Sequence, residues 1–278
     1  MKKIETRKYC YGLLCMKKLK NIKNIYTFLK PPIKEPKYNI KNYKRSILQC
    51  SNCLHFFAKH KINTTNLYKK NYSTISHGKN IKLKFDKINN LGRKSDNFHR
   101  VERFLKFFDK FNQKKIRMVD IGSGMGIFLY NLQKKVKWTL NGLEPDLNFA
   151  NFCKDNLKLK IINNKFSKKL FKNKKYDIIT LNKVTEHIKN PIKFINDINS
   201  LLKTNGFIYL EVPDGVAAFN SSEGIRREEF FLDHLHIFSI ESLSNLLKKC
   251  GFKIIKIKSI IEESGKYTLF AFAKKNIK

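Results

Sequence analysis

The sequence predicts an α/β fold, with a mostly parallel sheet covered by helices on both faces. Three observations carry that reading. From residue 116 onward, short apolar runs alternate with segments of helical period, the signature of a parallel sheet. The first of these runs leads into Gly122-Ser123-Gly124-Met125-Gly126 and then a helix. The next run ends on an acid, Glu144.

The elements follow in order. Phe98, Val101, Phe104, Leu105 and Phe108 recur at helical spacing and predict a helix over 97–111, with Asp96 as its cap. Strands are expected at 116–121, 138–144, 159–162, 176–181 and 207–212. Helices are expected at 127–135, 147–156, 192–203 and 240–250, the last capped by Ser239. Two closing strands, 252–261 and 267–273, are joined by a short Ser-Gly turn and predict an antiparallel pair at the sheet edge. No internal repeat is evident.

The glycine loop carries the chemistry. Glycines serve where the backbone turns sharply and lies close to a ligand, and the helix behind them points its free N–H groups at the same place. A dinucleotide-binding loop of G-x-G-x-x-G type holds a pyrophosphate, which an acid at its root would repel. Here the spacing is G-x-G-x-G and Asp120 precedes it, an arrangement that suits a ligand bearing an ammonium group. Glu144, at the end of the second strand, is placed to accept both hydroxyls of a ribose. A nicotinamide dehydrogenase is disfavoured by Asp120 and by the loop spacing.

Together with Tyr176-Asp177-Ile178-Ile179, Glu186-His187 and Asn190-Pro191, these motifs resemble the class I S-adenosylmethionine-dependent methyltransferases. The resemblance covers roughly residues 98–275. It implies a Rossmann-like, seven-stranded sheet of order 3-2-1-4-5-7-6 and S-adenosylmethionine as cofactor. Asp120, Gly122, Ser123, Gly124, Gly126, Glu144 and Pro145 then form the cofactor site, with Asn182 lining the pocket. The family's acid for the adenine amino group is missing from the third-strand loop. Asn164 and Phe166 stand there instead, the first as acceptor and the second as cover for the ring. His187 reads as a packed residue at a helix start.

After the fifth strand comes Glu229-Phe230-Phe231-Leu232-Asp233-His234-Leu235-His236. In this fold that region faces the transferred methyl. An imidazole near its ordinary pKa suits removal of the acceptor's proton, so His234 is the expected catalytic base and Asp233 the group that orients it. The segment resembles the Glu-His-Leu stretch of sugar C-methyltransferases, which act on nucleotide-linked keto-sugars and carry an N-terminal zinc module. Asp233 replaces their Glu, and Phe231 replaces a frequent Tyr. The acceptor implied is a small molecule, a sugar or nucleotide-sugar methylated at carbon or oxygen. An RNA-modifying enzyme is the alternative.

Residues 1–80 differ in character. They hold four of the six cysteines and the prolines Pro31, Pro32 and Pro36. Cys10 and Cys15 form a C-x4-C pair and Cys50 and Cys53 a C-x-x-C pair, a set that suits one structural zinc in a zinc-ribbon-like module. The expected organisation is that N-terminal module at 1–80, a polar linker at 81–96, and a methyltransferase domain at 97–278.

The formal net charge is +36, and eight of the 58 basic residues are Arg. Lys, Asn and Ile share A/T-rich codons, so compositional bias accounts for the charge without a ligand. A nucleic-acid partner is not favoured, because Arg, the bidentate reader of phosphate and guanine, is scarce. No apolar run approaches the roughly 20 residues of a membrane span. The N-terminus lacks a long apolar region and a cleavage site, so a cytoplasmic enzyme with reduced thiols is expected.

Overall fold

The computed structural model describes residues 22–36, 40–62, 80–109 and 115–276. Its strands are β1 (Ile22–Phe28), β2 (Arg45–Cys50), β3 (Phe56–His60), β4 (Arg117–Ile121), β5 (Thr139–Glu144), β6 (Ile161–Asn163), β7 (Tyr176–Asn182), β8 (Leu202–Pro213), β9 (His236–Ile237), β10 (Phe252–Ile261) and β11 (Tyr267–Lys275). Its helices are α1 (Ile81–Asn90), α2 (Asp96–Phe108), α3 (Ile127–Gln133), α4 (Leu147–Asp155), α5 (Pro191–Leu201), α6 (Gly215–Phe219) and α7 (Ile240–Lys249).

The main sheet has seven strands in the order β10-β11-β8-β7-β4-β5-β6. Counted from β4 as the first strand, and with β9 left out, this is the expected 3-2-1-4-5-7-6. Strands β6, β5, β4, β7 and β8 run parallel, and β11 pairs antiparallel with both β8 and β10. Side chains alternate between two cores, as a period of two requires. Along β8, Phe207 and Tyr209 join the layer with Phe104, Phe128 and Phe149, whereas Ile208 and Leu210 join the layer with Ile195, Ile198 and Leu247. Along β11, Phe270 and Phe272 face the first layer and Leu269, Ala271 and Ala273 the second. Phe107 stacks on Phe272 with ring centres 3.9 Å apart.

Two expectations need correction. Residues 81–96, read as a polar linker, contain a capped helix and a short 3-10 turn. Asn80 accepts from Leu83 N at 3.0 Å, and Phe85 is buried against Tyr130 and Phe152. The helical spacing of Ile81, Phe85 and Ile88 is hidden among lysines. The cap of α2 is Ser95, whose Oγ accepts from Asn97 N at 3.2 Å. The Asp96 carboxylate instead accepts from the backbone N and the Oγ of Ser264, at 2.9 and 2.6 Å. The α7 cap is as expected: Ser239 and Ser242 form a reciprocal capping box.

The second sheet has the order β1-β2-β3-β9, all antiparallel. Its fourth strand comes from the segment that carries His236, so this sheet closes on residues about 180 positions further along the chain. Beneath it lie Phe56, Phe230, Leu232 and Ile237. A buried ion pair ties it down: Arg45 Nη2 lies 3.2 Å from Glu35 Oε1, and neither side chain is exposed.

Candidate functional site

The site lies at the carboxyl ends of the parallel strands, where ligands bind in open α/β sheets. Gly122 N and Ser123 N both donate to Leu143 O, at 2.7 and 3.2 Å, which folds the loop against β5. Gly126 has φ +75°, and a Cβ there would meet Cys153 Sγ at 2.6 Å and Leu159 Cδ1 at 2.8 Å. Only glycine meets both demands. At Gly122, φ is +76° and a Cβ would meet Val184 Cγ2 at 2.5 Å, so the chain leaving β7 packs directly on the loop.

Two acids flank the loop from below. Asp120 Oδ1 accepts from Thr180 Oγ1 at 2.6 Å and from Asn182 Nδ2 at 3.1 Å. Burial pushes its carboxyl up to about 7, against the pull of those two bonds and of Arg100. Glu144 accepts from Gly124 N at 2.7 Å through Oε2 and from Asp146 N at 2.8 Å through Oε1. Burial raises it also to about 7, with the two backbone donors opposing and Asp146 and Asp120 adding. Asn182 Oδ1 and Ser123 Oγ are buried with no hydrogen-bond partner among the described residues. Near them, then, stand acceptors without donors and carboxyls short of positive charge.

Pro145 and Asn163 close the side of the loop, with Asn163 Nδ2 donating to Glu144 O at 2.9 Å and to Pro145 O at 3.3 Å. Asn164 is exposed beside them. Phe166 lies against Phe194, ring centres 4.9 Å apart, and is only partly buried.

The segment expected to face the acceptor is wired differently from the expectation. His234 Nδ1 donates to Glu229 O at 2.9 Å, so a backbone carbonyl orients that ring. Asp233 serves His187 instead: its carbonyl accepts from His187 Nδ1 at 2.8 Å, and its carboxylate lies 3.9 Å from the same nitrogen. His187, read as packing, therefore stands beside His234, ring centres 5.0 Å apart. Leu235 N donates to Glu186 O at 2.9 Å and holds the two segments together. His236 is fully buried in β9, 3.1 Å from His55, and burial pushes it down to about 4.

Sequence reasoning missed a buried charge cluster next to this site. Glu211 of β8 takes Arg100 Nε at 2.7 Å, Arg103 Nη2 at 2.5 Å and the Tyr209 hydroxyl. Burial would raise its carboxyl, but Arg100, Arg103 and Lys183 outweigh burial and hold it at about 2. Lys183, just past β7, donates through Nζ to Thr268 Oγ1. The available signal was the pair of arginines three residues apart, next to the apolar stripe of α2.

Cys50 and Cys53 bracket the β2–β3 turn and are both buried. Cys10 and Cys15 lie outside the described residues.

A family model described as a methyltransferase domain matches residues 93–257, more than half of the chain. No curated protein matches the sequence. Among solved structures, the plantazolicin methyltransferase BpumL, in complex with a monoazolic desmethylPZN analog and SAH, is 19% identical over 76% of this chain and 95% of its own, with a TM-score of 0.56. The plantazolicin methyltransferase BamL is 17% identical over 77% and 97%, with a TM-score of 0.53. A SAM-dependent methyltransferase from Archaeoglobus fulgidus is 18% identical over 66% and 96%, with a TM-score of 0.50. At these identities the likeness is one of fold. No helix among the described residues is long and apolar enough to cross a membrane.

Proposed function

The chain belongs to the methyltransferase-domain family, and from that membership we propose that it moves a methyl group from S-adenosylmethionine to a small-molecule acceptor, a sugar or nucleotide-sugar. The observation that carries the cofactor is the pair of buried acids, Asp120 and Glu144, on either side of the glycine loop. The methionine ammonium supplies the positive charge that Asp120 lacks and a donor for Asn182 Oδ1. The two oxygens of Glu144 have about four lone-pair sites. Two backbone N–H groups use part of them and leave room for the ribose hydroxyls. Pro145, Asn164 and Phe166 border the adenine end, and the backbone of Gly122, Ser123, Gly124 and Gly126 lies along the cofactor.

The bound cofactor supplies an activated methyl. Held by Asp120, Glu144 and the glycine loop, the cofactor would give that methyl to the acceptor's oxygen or carbon and become S-adenosylhomocysteine. His234 stands for removal of the acceptor's proton, with Glu229 O fixing its tautomer so that Nε2 carries the lone pair. Fold neighbours crystallised with SAH support the cofactor side of this reading.

The N-terminal zinc belongs to the same reading. Cys50 and Cys53, at the two sides of one tight turn, fit half of a four-thiolate site. Metal analysis of the purified full chain under reductant tests it, and a preparation without zinc ends it. The cofactor is tested by calorimetry with S-adenosylmethionine, where no binding refutes the assignment. The acceptor is tested by methyl transfer from labelled cofactor across a panel of nucleotide-sugars, with RNA as the competing substrate.

A further inference from the structure

We propose that Glu186, His187 and His234 hold a divalent transition-metal ion that binds a hydroxyl of the acceptor. One ligand atom from each, a carboxylate oxygen and two imidazole nitrogens, lie within 4.8 Å of one another. A second observation is independent of that spacing. Glu186 is completely buried, and neither of its carboxylate oxygens has a hydrogen-bond partner among the described residues. A buried carboxylate left so is costly. The neighbouring cation Lys183 attracts it through space only and makes no hydrogen bond to it, since its Nζ donates to Thr268 Oγ1.

The imidazoles are set for the same task. His187 Nδ1 donates to Asp233 O and His234 Nδ1 donates to Glu229 O. In each ring the proton is thereby fixed on Nδ1, and the lone pair falls on Nε2. Metal-bound histidines are oriented in this way by carbonyl partners. Two imidazoles and one carboxylate suit Mn2+, Fe2+ or Zn2+ and leave coordination positions open. An acceptor hydroxyl taking one of them loses its proton more readily. The proton passes to solvent, the oxygen–methyl bond forms, and the methyl–sulfur bond breaks. No oxidant or reductant enters.

This inference rests on the methyltransferase reading for its substrate, and it changes His234 from proton acceptor to ligand. Location supports the assignment. Val184, two residues before Glu186, packs on Gly122 of the cofactor loop.

The test uses the full chain, stripped with a chelator that is then removed and titrated with Co2+. A cobalt spectrum of nitrogen–oxygen type, without thiolate charge transfer, is expected with one ion bound. Thiolate bands would report the N-terminal cysteines instead. Glu186→Gln and His234→Asn should each weaken that binding by about tenfold or more. Calorimetry with S-adenosylmethionine should show unchanged cofactor affinity in both. His234 is partly exposed, so its variant is informative even if Glu186→Gln fails to fold. Equal cobalt affinity in wild type and His234→Asn, or no cobalt bound outside the thiolates, overturns the proposal. Cofactor binding is read separately, so its loss would refute the methyltransferase reading without bearing on the metal.

Discussion

Leu232 N donates a 2.6 Å hydrogen bond to Glu35 Oε1, across 197 positions of chain. The same carboxylate takes the Tyr43 hydroxyl at 2.7 Å and pairs with Arg45, which also donates to Phe230 O. One buried acid thus sets the backbone two residues before His234. Arg45→Met leaves Glu35 without its cation. Breaking such a buried pair costs about 3–5 kcal/mol, and urea unfolding should show a loss of that size. Glu35→Gln combined with Arg45→Met should recover part of it. An unchanged midpoint in Arg45→Met would mean that the pair is not buried in solution.

Asp120 and Glu144 titrate near 7 in the folded protein, above their ordinary values. The folded state therefore holds protons that the unfolded chain has released. Their contribution to stability is present below about pH 4 and is lost as pH rises through 7. A cationic ligand reverses this locally, because it favours the ionised acids. Cofactor affinity should rise between pH 6 and pH 8, by up to about tenfold per unit for each proton released on binding. Calorimetry in buffers of different ionisation enthalpy reads those protons, and a flat profile would remove Asp120 from the ammonium.

Glu144→Ala should weaken S-adenosylmethionine binding by several-fold, on the order of 1 kcal/mol or more for a charge-assisted contact. The variant also frees Gly124 N and Asp146 N, so the loop should exchange amide hydrogen faster. Unchanged affinity would take the ribose away from this residue.

His55 and His236 lie in contact and both are pushed down by burial, His236 to about 4. Here the sign is opposite. The unfolded chain takes up a proton at each ring near 6.5, whereas the folded one resists. Stability is therefore lost as pH falls from 6.5 towards 4. His236→Phe should flatten the dependence in that window, read from denaturation midpoints at several pH values. A slope equal to wild type would show that these rings do not drive acid unfolding.

Gly126→Ala combines a left-handed backbone with a Cβ inside contact distance of Cys153 and Leu159. Backbone strain of about 1–3 kcal/mol adds to overpacking, so a lowered melting temperature and weaker cofactor binding are expected together. A fully stable variant would place the loop in another conformation.

The main sheet was legible in the sequence because β7, β8 and β11 are mostly buried apolar runs and its helices keep their period. Even the edge pair β10–β11 announces itself by a Ser-Gly turn. Helix α1 was not legible, since its apolar residues are outnumbered by lysines and asparagines. Beside the glycine loop, the places of Asp120 and Glu144 were legible, because each ends or nearly ends a strand that the sequence shows. The acceptor side escapes such reasoning. Whether Asp233 serves His234 or His187 depends on which way one turn faces, and Glu186 differs from a surface acid only by burial. Arg100, Arg103 and Glu211 are ordinary charges until the fold places them together.

Strand β9 is two residues long, yet it has a consequence for how the protein is made. Strands β1 to β3 leave the ribosome before β9, and among the described residues the outer edge of β3 has no partner until His236 and Ile237 emerge. While the residues between β3 and β9 are made, that edge is open to other chains. A premature stop before residue 236 would leave it so permanently, and such fragments should aggregate even when β1 to β3 have paired.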